Sequence, residues 1–169
     1  IKKRILIIGA AGFLGSKCYY LLKKEFNVAG TYFKNYVPGL KFLDIRSKTE
    51  VEKMIFYTNA NIVIHTASLI DIEKCELNKR DAWEINVAAA KNITESCKKY
   101  SSKLIYISSD YIFSGKDGPY YEDSEPNPLN YYGVTKLEAE RIIEEELFDY
   151  AIIRPTVLDG INNAKNSSF

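Results

Sequence analysis

Arg4-Ile5-Leu6-Ile7-Ile8-Gly9-Ala10-Ala11-Gly12-Phe13-Leu14-Gly15 is the stretch that decides the fold. An aliphatic run leads into a glycine-rich turn, and an amphipathic segment over residues 12–24 follows, so the order is strand, tight turn, helix. Glycines in such a turn let the backbone reverse and approach an anion, which the free amides and the dipole at the helix N-terminus then hold. After the first strand of a parallel sheet that anion is the pyrophosphate of a dinucleotide, with Gly9, Gly12 and Gly15 forming the turn. The spacing is GxxGxxG, not the GxGxxG of the standard dinucleotide fingerprint, and a plain strand-to-helix turn is the competing reading.

Outward from this turn, short aliphatic runs at 27–32, 61–65, 103–108 and 150–154 alternate with amphipathic stretches at 47–57, 78–99 and 132–147. Segments such as Ile62-Val63-Ile64 and Leu104-Ile105-Tyr106-Ile107 are apolar at every position, as in a parallel sheet covered by helices on both faces. The expected fold is therefore α/β with a doubly wound parallel sheet. One connection breaks the rhythm. Residues 110–130 hold Gly115, Gly118, Pro119, Pro126 and Pro128, too much turn chemistry for helix or strand, and loops of that length are functional or disordered.

The chain has 169 residues, 46% hydrophobic and 27% charged, with 23 Lys plus Arg against 22 Asp plus Glu and a net charge of +1. That profile fits one globular domain and gives no electrostatic footprint for nucleic acid or an anionic membrane, so a smaller ligand is expected. No apolar run approaches the ~20 residues that span a bilayer, and residues 5–8 are too short for the core of a signal peptide. Cys18, Cys75 and Cys97 are odd in number and widely spaced, and His65 is the sole histidine, so neither a disulfide framework nor a metal site is expected. A cytoplasmic protein is the default.

Three further positions bear on the ligand. The second strand runs through Thr31 and Lys34 without the Asp or Glu that pairs with a ribose 2′-hydroxyl and repels a 2′-phosphate, which suits NADP(H) better than NAD(H). Lys34 as a solvated loop lysine is the other reading. Asp44 stands where a carboxylate accepts from an adenine amino group or, alternatively, caps the helix that starts near Ser47. In Tyr132-Gly133-Val134-Thr135-Lys136 the i, i+4 pair shares one helix face, so the Lys136 ammonium is expected beside the Tyr132 phenol, drawing its pKa from ~10 toward neutrality and making it a general acid or base.

The conjunction resembles the extended short-chain dehydrogenase/reductases. Tyr106-Ile107-Ser108-Ser109-Asp110-Tyr111-Ile112-Phe113-Ser114-Gly115 and Asn127-Pro128-Leu129-Asn130-Tyr131-Tyr132-Gly133-Val134-Thr135-Lys136-Leu137 are similar to the S-T-D-Y-V-F-like and P-L-N-x-Y-G-x-[ST]-K segments of the dTDP-4-dehydrorhamnose reductase branch. The likeness runs from Ile5 to about Gly160. It implies a Rossmann-like NAD(P)-binding domain over residues 1–155. Residues 156–169 would begin a substrate-binding region that is largely missing. It further implies Gly12, Phe13 and Leu14 at the pyrophosphate, Thr31 at the ribose, Asp44 and Ile45 at the adenine, and Ala67, Ser68 and Leu69 flanking the cofactor. Ser109, Tyr132 and Lys136 would be catalytic, with Asn86 and Asp110 in support, although an Asn within a helix also bonds to backbone. The implied reaction is NAD(P)H-dependent reduction of the 4-keto group of a nucleotide-linked deoxysugar, as in dTDP-rhamnose biosynthesis. A dehydratase is disfavoured because Tyr111, not a second carboxylate, follows Asp110, whereas a 4-epimerase shares the Ser, Tyr and Lys. The segment 104–111 is also similar to the regulatory β subunits of methionine adenosyltransferase, which bind a dinucleotide and serve as partners. At Arg154-Pro155-Thr156-Val157 the reductase branch carries an Arg-Thr-Ser-Trp-like stretch, so the sugar stays open here. The superfamily pairs helices into a homodimer, for which the apolar faces of 78–99 and 132–147 are candidates; covering the sheet is their alternative.

Overall fold

The computed structural model of the chain describes residues 2–116 and 118–158. Six strands, β1 (Arg4–Ile8), β2 (Asn27–Tyr32), β3 (Lys41–Phe42), β4 (Ile62–His65), β5 (Lys103–Ile107) and β6 (Tyr150–Ile153), form one parallel sheet in the order β3-β2-β1-β4-β5-β6. This is the doubly wound α/β fold that the alternation predicts. Chain order reverses between β1 and β4, which opens a crevice at their C-terminal ends, the place where open parallel sheets bind ligands.

Around the sheet lie α1 (Phe13–Leu22), α2 (Lys48–Thr58), α3 (Ile72–Leu77), α4 (Lys79–Trp83), α5 (Ala89–Lys99) and α6 (Tyr131–Glu146). The unbroken apolar runs of the strands serve both faces. Ile5, Ile7 and Ile64 face Cys18, Tyr19 and Leu22 of α1. Leu6, Ile8, Val63 and Leu104 point the other way, toward Val51 and Ile55 of α2, Ile93 and Cys97 of α5, and Ala139 and Ile143 of α6. Each large aliphatic side chain so buried contributes roughly 1.5–3 kcal/mol. The apolar stripes of α5 and α6 thus cover the sheet, the second of the two uses expected for them.

Three details depart from the sequence pattern. β3 is a two-residue edge pairing to Thr31 and Tyr32, too short to leave an apolar signature. α3 is a single short helix started by Asp71, whose carboxylate accepts from Lys74 N at 3.0 Å. The stretch 78–99, expected as one helix, is broken: Asn78 Oδ1 accepts from Asp81 N at 3.2 Å to start α4, and a π-helical turn over Glu84–Ala88 separates α4 from α5. The long connection begins with a 3₁₀ turn at Asp110–Ile112 and otherwise carries neither helix nor strand in its described residues. Residues 156–158 are irregular, and the remainder of the expected second region, 159–169, lies outside the described residues.

All three cysteines are free. Among the described residues no helix is long and apolar enough to cross a membrane, and no group of His, Cys, Asp and Glu is arranged to hold a metal.

His65 ends β4 opposite Tyr106 of β5, with ring centroids 5.5 Å apart. It is 1% exposed and its Nδ1 has no partner. Burial first, and the nearby Lys136 second, push its pKa from 6.5 down to about 3. The unfolded chain therefore takes up this proton before the folded one does, and stability is lost as pH falls from about 6.5 toward 3, by about 1.4 kcal/mol per pH unit. A His65→Leu variant should consequently lose less melting temperature than the parent between pH 7 and pH 4.5. Equal losses in thermal melts at the two pH values would contradict this.

Candidate functional site

The glycine turn is shaped by two close approaches. Gly9 has φ +92°, and a Cβ there would lie 2.7 Å from Thr66 Oγ1 and 2.8 Å from Ala67 N. A Cβ on Gly15 would overlap the Gly9 carbonyl oxygen. Thr66 stitches the turn to β4, its hydroxyl donating to the Ile8 and Gly9 carbonyls at 3.0 and 3.2 Å. Gly12 precedes α1 and supplies no side-chain cap, unlike Ser47, Asp71, Asn78 and Asn130 before α2, α3, α4 and α6. The first amides of α1, on Phe13, Leu14 and Gly15, thus lack side-chain acceptors, and a Cβ on Gly12 would meet only Gly9 O, at 3.3 Å. An uncapped helix start on a glycine turn fits the pyrophosphate of a dinucleotide.

A cleft of about 500 Å³ opens here. Gly9, Gly12, Thr31, Lys34, Asp44, Ile45, Ala67, Ser68 and Leu69 line it, so most of the expected cofactor residues meet at one cavity. Two carry duties that the sequence does not announce. Thr31 is buried, and its hydroxyl accepts from Gly9 N at 3.2 Å, leaving only its own proton to offer to the cleft. Asp44 does not cap α2; that role belongs to Ser47, whose Oγ accepts from Glu50 N. The Asp44 carboxylate is instead gripped by Arg46, with Nη2 to Oδ2 at 2.7 Å and Nε to Oδ1 at 2.9 Å, and this hydrogen bonding holds its pKa below the usual carboxylate range.

Arg46 is the residue that motif reading missed. It lines the cleft and its guanidinium lies 5.3 Å from the centroid of the Phe33 ring, another wall residue. Lys34 stands on the same rim. The opposite wall comes from α3, α4 and the turn after them, through Leu77, Asp81, Glu84 and Ile85. No local signal in the sequence places these residues at the cleft.

Beyond Ser68 the cleft gives way to the expected reacting groups. Asn86 is buried in the π-helical turn and uses all its capacity. Its Oδ1 accepts from Ser68 Oγ at 2.9 Å and Leu69 N at 2.8 Å, and its Nδ2 donates to Leu69 O and Thr135 Oγ1, both at 3.0 Å. Thr135 in turn donates to the Tyr132 carbonyl at 2.7 Å. Both readings of Asn86 therefore hold, because it bonds to backbone and also ties the β4 exit to α6. Ser109 accepts from Tyr111 N and donates to Asp110 Oδ1, both at 3.2 Å. The first turn of α6 seats directly on this segment, since a Cβ on Gly133 would overlap the Tyr111 carbonyl.

Tyr132 and Lys136 differ from expectation. The Lys136 ammonium is held at the sheet, where Nζ donates to Ile107 O at 2.7 Å and lies 4.2 Å from the Tyr106 ring centroid. Sharing a helix face permits the Tyr–Lys approach; a buried carbonyl from another element captures the ammonium instead. Burial lowers the Lys136 pKa from 10.5 to about 7, with Glu140 acting to raise it. The Tyr132 pKa is raised, not lowered: burial dominates, while hydrogen bonds with the Ser109 and Ser68 hydroxyls pull the other way.

Comparison with known proteins gives both kinds of relative. "Methionine adenosyltransferase 2 subunit beta" of Xenopus tropicalis is 36% identical over 159 residues, covering 94% of this chain and 48% of its own length. "dTDP-4-dehydrorhamnose reductase" of Aggregatibacter actinomycetemcomitans is 34% identical over 143 residues, covering 83% of this chain and 46% of its own. The chain thus spans about half the length of these relatives. Among solved structures, a hypothetical dTDP-4-dehydrorhamnose reductase from Sulfolobus tokodaii superposes with TM-score 0.85 at 35% identity, over 90% of this chain and 55% of that one. The dTDP-4-dehydrorhamnose reductase of Bacillus anthracis, in complex with NADP, gives TM-score 0.84 at 30% identity, over 92% and 54%. A family model described as "RmlD substrate binding domain" matches residues 3–167. With that match spanning nearly the whole chain and the fold agreeing strand for strand with the doubly wound plan, the chain belongs to the RmlD substrate binding domain family.

Proposed function

We propose that the protein is an NADP(H)-dependent reductase of the 4-keto group of a nucleotide-linked deoxysugar. The observation that carries this reading is the setting of Tyr132, a buried phenol beside the Ser109 and Ser68 hydroxyls and next to the glycine-turn cleft that Ser68 lines. A reduced nicotinamide dinucleotide in the cleft would supply the hydride. The chain's residues do the rest. Tyr132, protonated at neutral pH, gives its proton to the oxygen that becomes the alcohol. Ser109 turns its one proton from Asp110 Oδ1 to the same oxygen as negative charge develops on it. Lys136 is buried on Ile107 O and would reach the nicotinamide ribose only by moving its ammonium out of that bond. Oxidation of NADPH on mixing the whole protein with a dTDP-4-keto-6-deoxysugar tests the reading. No oxidation above the uncatalysed rate overturns it.

Two cations on the wall that bears Thr31 support the phosphorylated cofactor, Lys34 directly and Arg46 in competition with the Asp44 carboxylate that it grips. Each charge-assisted hydrogen bond to a 2′-phosphate is worth about 1.5–3 kcal/mol, or about tenfold to a hundredfold in affinity. The double variant Lys34→Ala, Arg46→Ala should weaken NADPH by at least that factor while leaving NADH within about threefold. Titration by nicotinamide fluorescence checks it; parallel losses for both cofactors would count against a 2′-phosphate contact.

The relatives named as methionine adenosyltransferase subunits support a second reading, a dinucleotide-binding regulatory partner. Stable capture of a synthetase subunit, without NADPH oxidation, favours that reading over the first.

A further inference from the structure

The connection between Ser109 and Tyr132 is held down by an ion pair between a buried carboxylate and a half-buried guanidinium, to which the reaction assigns no chemical step. Glu140 lies one turn beyond Lys136 on α6, with its side chain 1% exposed, and its charge is met by Arg154, just past β6. Arg154 Nε donates to both carboxylate oxygens at 3.2 Å, and Nη2 donates to Oε2 at 2.8 Å. Nη1 turns the other way and donates to the Glu122 carbonyl at 2.9 Å. The guanidinium also sits 5.6 Å from the centroid of the Phe113 ring, and Phe113 stacks on Tyr120 at 4.5 Å with the planes 8° apart. The Tyr120 hydroxyl meets Ser114 Oγ at 3.1 Å, and Asn127 N donates to Ile112 O at 2.9 Å. Next to Arg154, the Pro155 carbonyl accepts from Asp110 N at 3.1 Å. One side chain thereby joins the helix that bears Tyr132 to both limbs of the loop.

Stability alone is a poor reason for this arrangement, because desolvating a carboxylate and a guanidinium offsets most of their attraction and apolar residues of similar size serve as well. A planar fork adds direction. It fixes the orientation of the groups it binds, which an apolar contact does not. The groups oriented here are the two limbs of a loop that starts after Ser109 and ends at Tyr132.

We propose that the Glu140–Arg154 pair is a positioning clasp that sets residues 113–116 and 118–127 against the catalytic helix as the lip of the sugar-nucleotide site, and thereby governs substrate affinity. The inference rests on the proposed reading of Ser109 and Tyr132 as the reacting groups.

Three variants separate the clasp from bulk stability. Arg154→Lys keeps the charge and loses the fork, Glu140→Gln keeps the shape and loses the charge, and Phe113→Leu removes the ring from the guanidinium without touching the ion pair. In the whole protein, amide hydrogen exchange over 118–127 should quicken about tenfold or more in each, while β1 and β4 amides stay within about twofold. In Arg154→Lys and Phe113→Leu, which keep the Glu140 charge beside Lys136, NADPH affinity should also stay within about twofold, and steady-state kinetics with a dTDP-4-keto-6-deoxysugar should show the sugar KM up about tenfold and kcat within about threefold. Loop exchange at the parent rate in variants that still bind NADPH overturns the clasp, as does a fall in kcat at unchanged sugar KM. Should Glu140→Gln fail to fold, Arg154→Lys and Phe113→Leu decide. A parent protein inactive toward the sugar removes the proposed function, and the exchange measurement then judges the clasp by itself.

Discussion

Tyr132→Phe is expected to lower the rate of keto-sugar reduction by about 10² or more while leaving NADPH affinity nearly unchanged. The substitution deletes one oxygen and keeps the ring, which packs edge-on against Tyr111 with centroids 5.9 Å apart and sits with Cys75 and Ala82 in a small apolar cluster. Packing survives, and the hydroxyl's hydrogen bonds contribute only about 1 kcal/mol net each to stability. What disappears is the proton donor. Because burial holds the Tyr132 pKa above its ordinary value, the parent's phenol is protonated throughout the neutral range, and the ratio of parent to variant rate should not follow a Tyr132 titration there. Single-turnover mixing of enzyme, NADPH and keto sugar measures the step directly; a rate equal to the parent's would remove Tyr132 from its proposed role.

Gly15→Ala is the second large effect, and here two influences oppose. Alanine favours a helix over glycine by about 1 kcal/mol, and position 15 is inside α1. Against this, the new Cβ would overlap the Gly9 carbonyl oxygen and come within 2.8 Å of both Gly9 C and Thr66 Oγ1. Two of these atoms are backbone and the third is anchored by two hydrogen bonds, so none can swing aside as the tip of a flexible side chain would. Overpacking of this kind costs about 1–3 kcal/mol or more. The steric effect wins, and the turn must open at Gly9, which also displaces the uncapped amides of α1. Calorimetry should show a lower melting temperature together with at least a tenfold loss of NADPH affinity, the equivalent of about 1.4 kcal/mol. Retention of full affinity would mean that the turn does not hold the dinucleotide.

The parts of the structure legible in the sequence are those written in local pattern. The aliphatic run before Gly9, the continuous apolarity of Ile62-Val63-Ile64 and the turn chemistry of 110–130 each state their structure within a few residues. The parts that escape depend on partners far along the chain. Lys136 points where it does because the Ile107 carbonyl, 29 residues earlier, accepts its proton. Arg46 reads as an ordinary loop cation until the Phe33 ring, back in the turn after β2, holds it over the cleft. Glu140 sits among Glu138, Arg141, Glu144 and Glu145 in a helix whose charges look uniformly solvated, yet its side chain is the one met by Arg154 in the interior. Periodicity cannot tell a buried charge from an exposed one when neither neighbour in sequence is its partner.

The π-helical turn at Glu84–Ala88 has a further geometric meaning. An α-helix advances about 100° per residue, so the additional residue of a π turn shifts the angular phase of everything before it relative to everything after. Up to and into the turn, that phase aims Asp81, Glu84 and Ile85 at the cleft and brings Asn86 to Ser68 and Thr135. Downstream, it aims Ala90, Ile93 and Cys97 at the sheet. A regular helix through this stretch could satisfy only one of those faces. The widened turn works as an angular offset between two neighbours with incompatible registers, and removing a single residue from it would cancel the offset, sacrificing either the amide at the site or the packing beneath it.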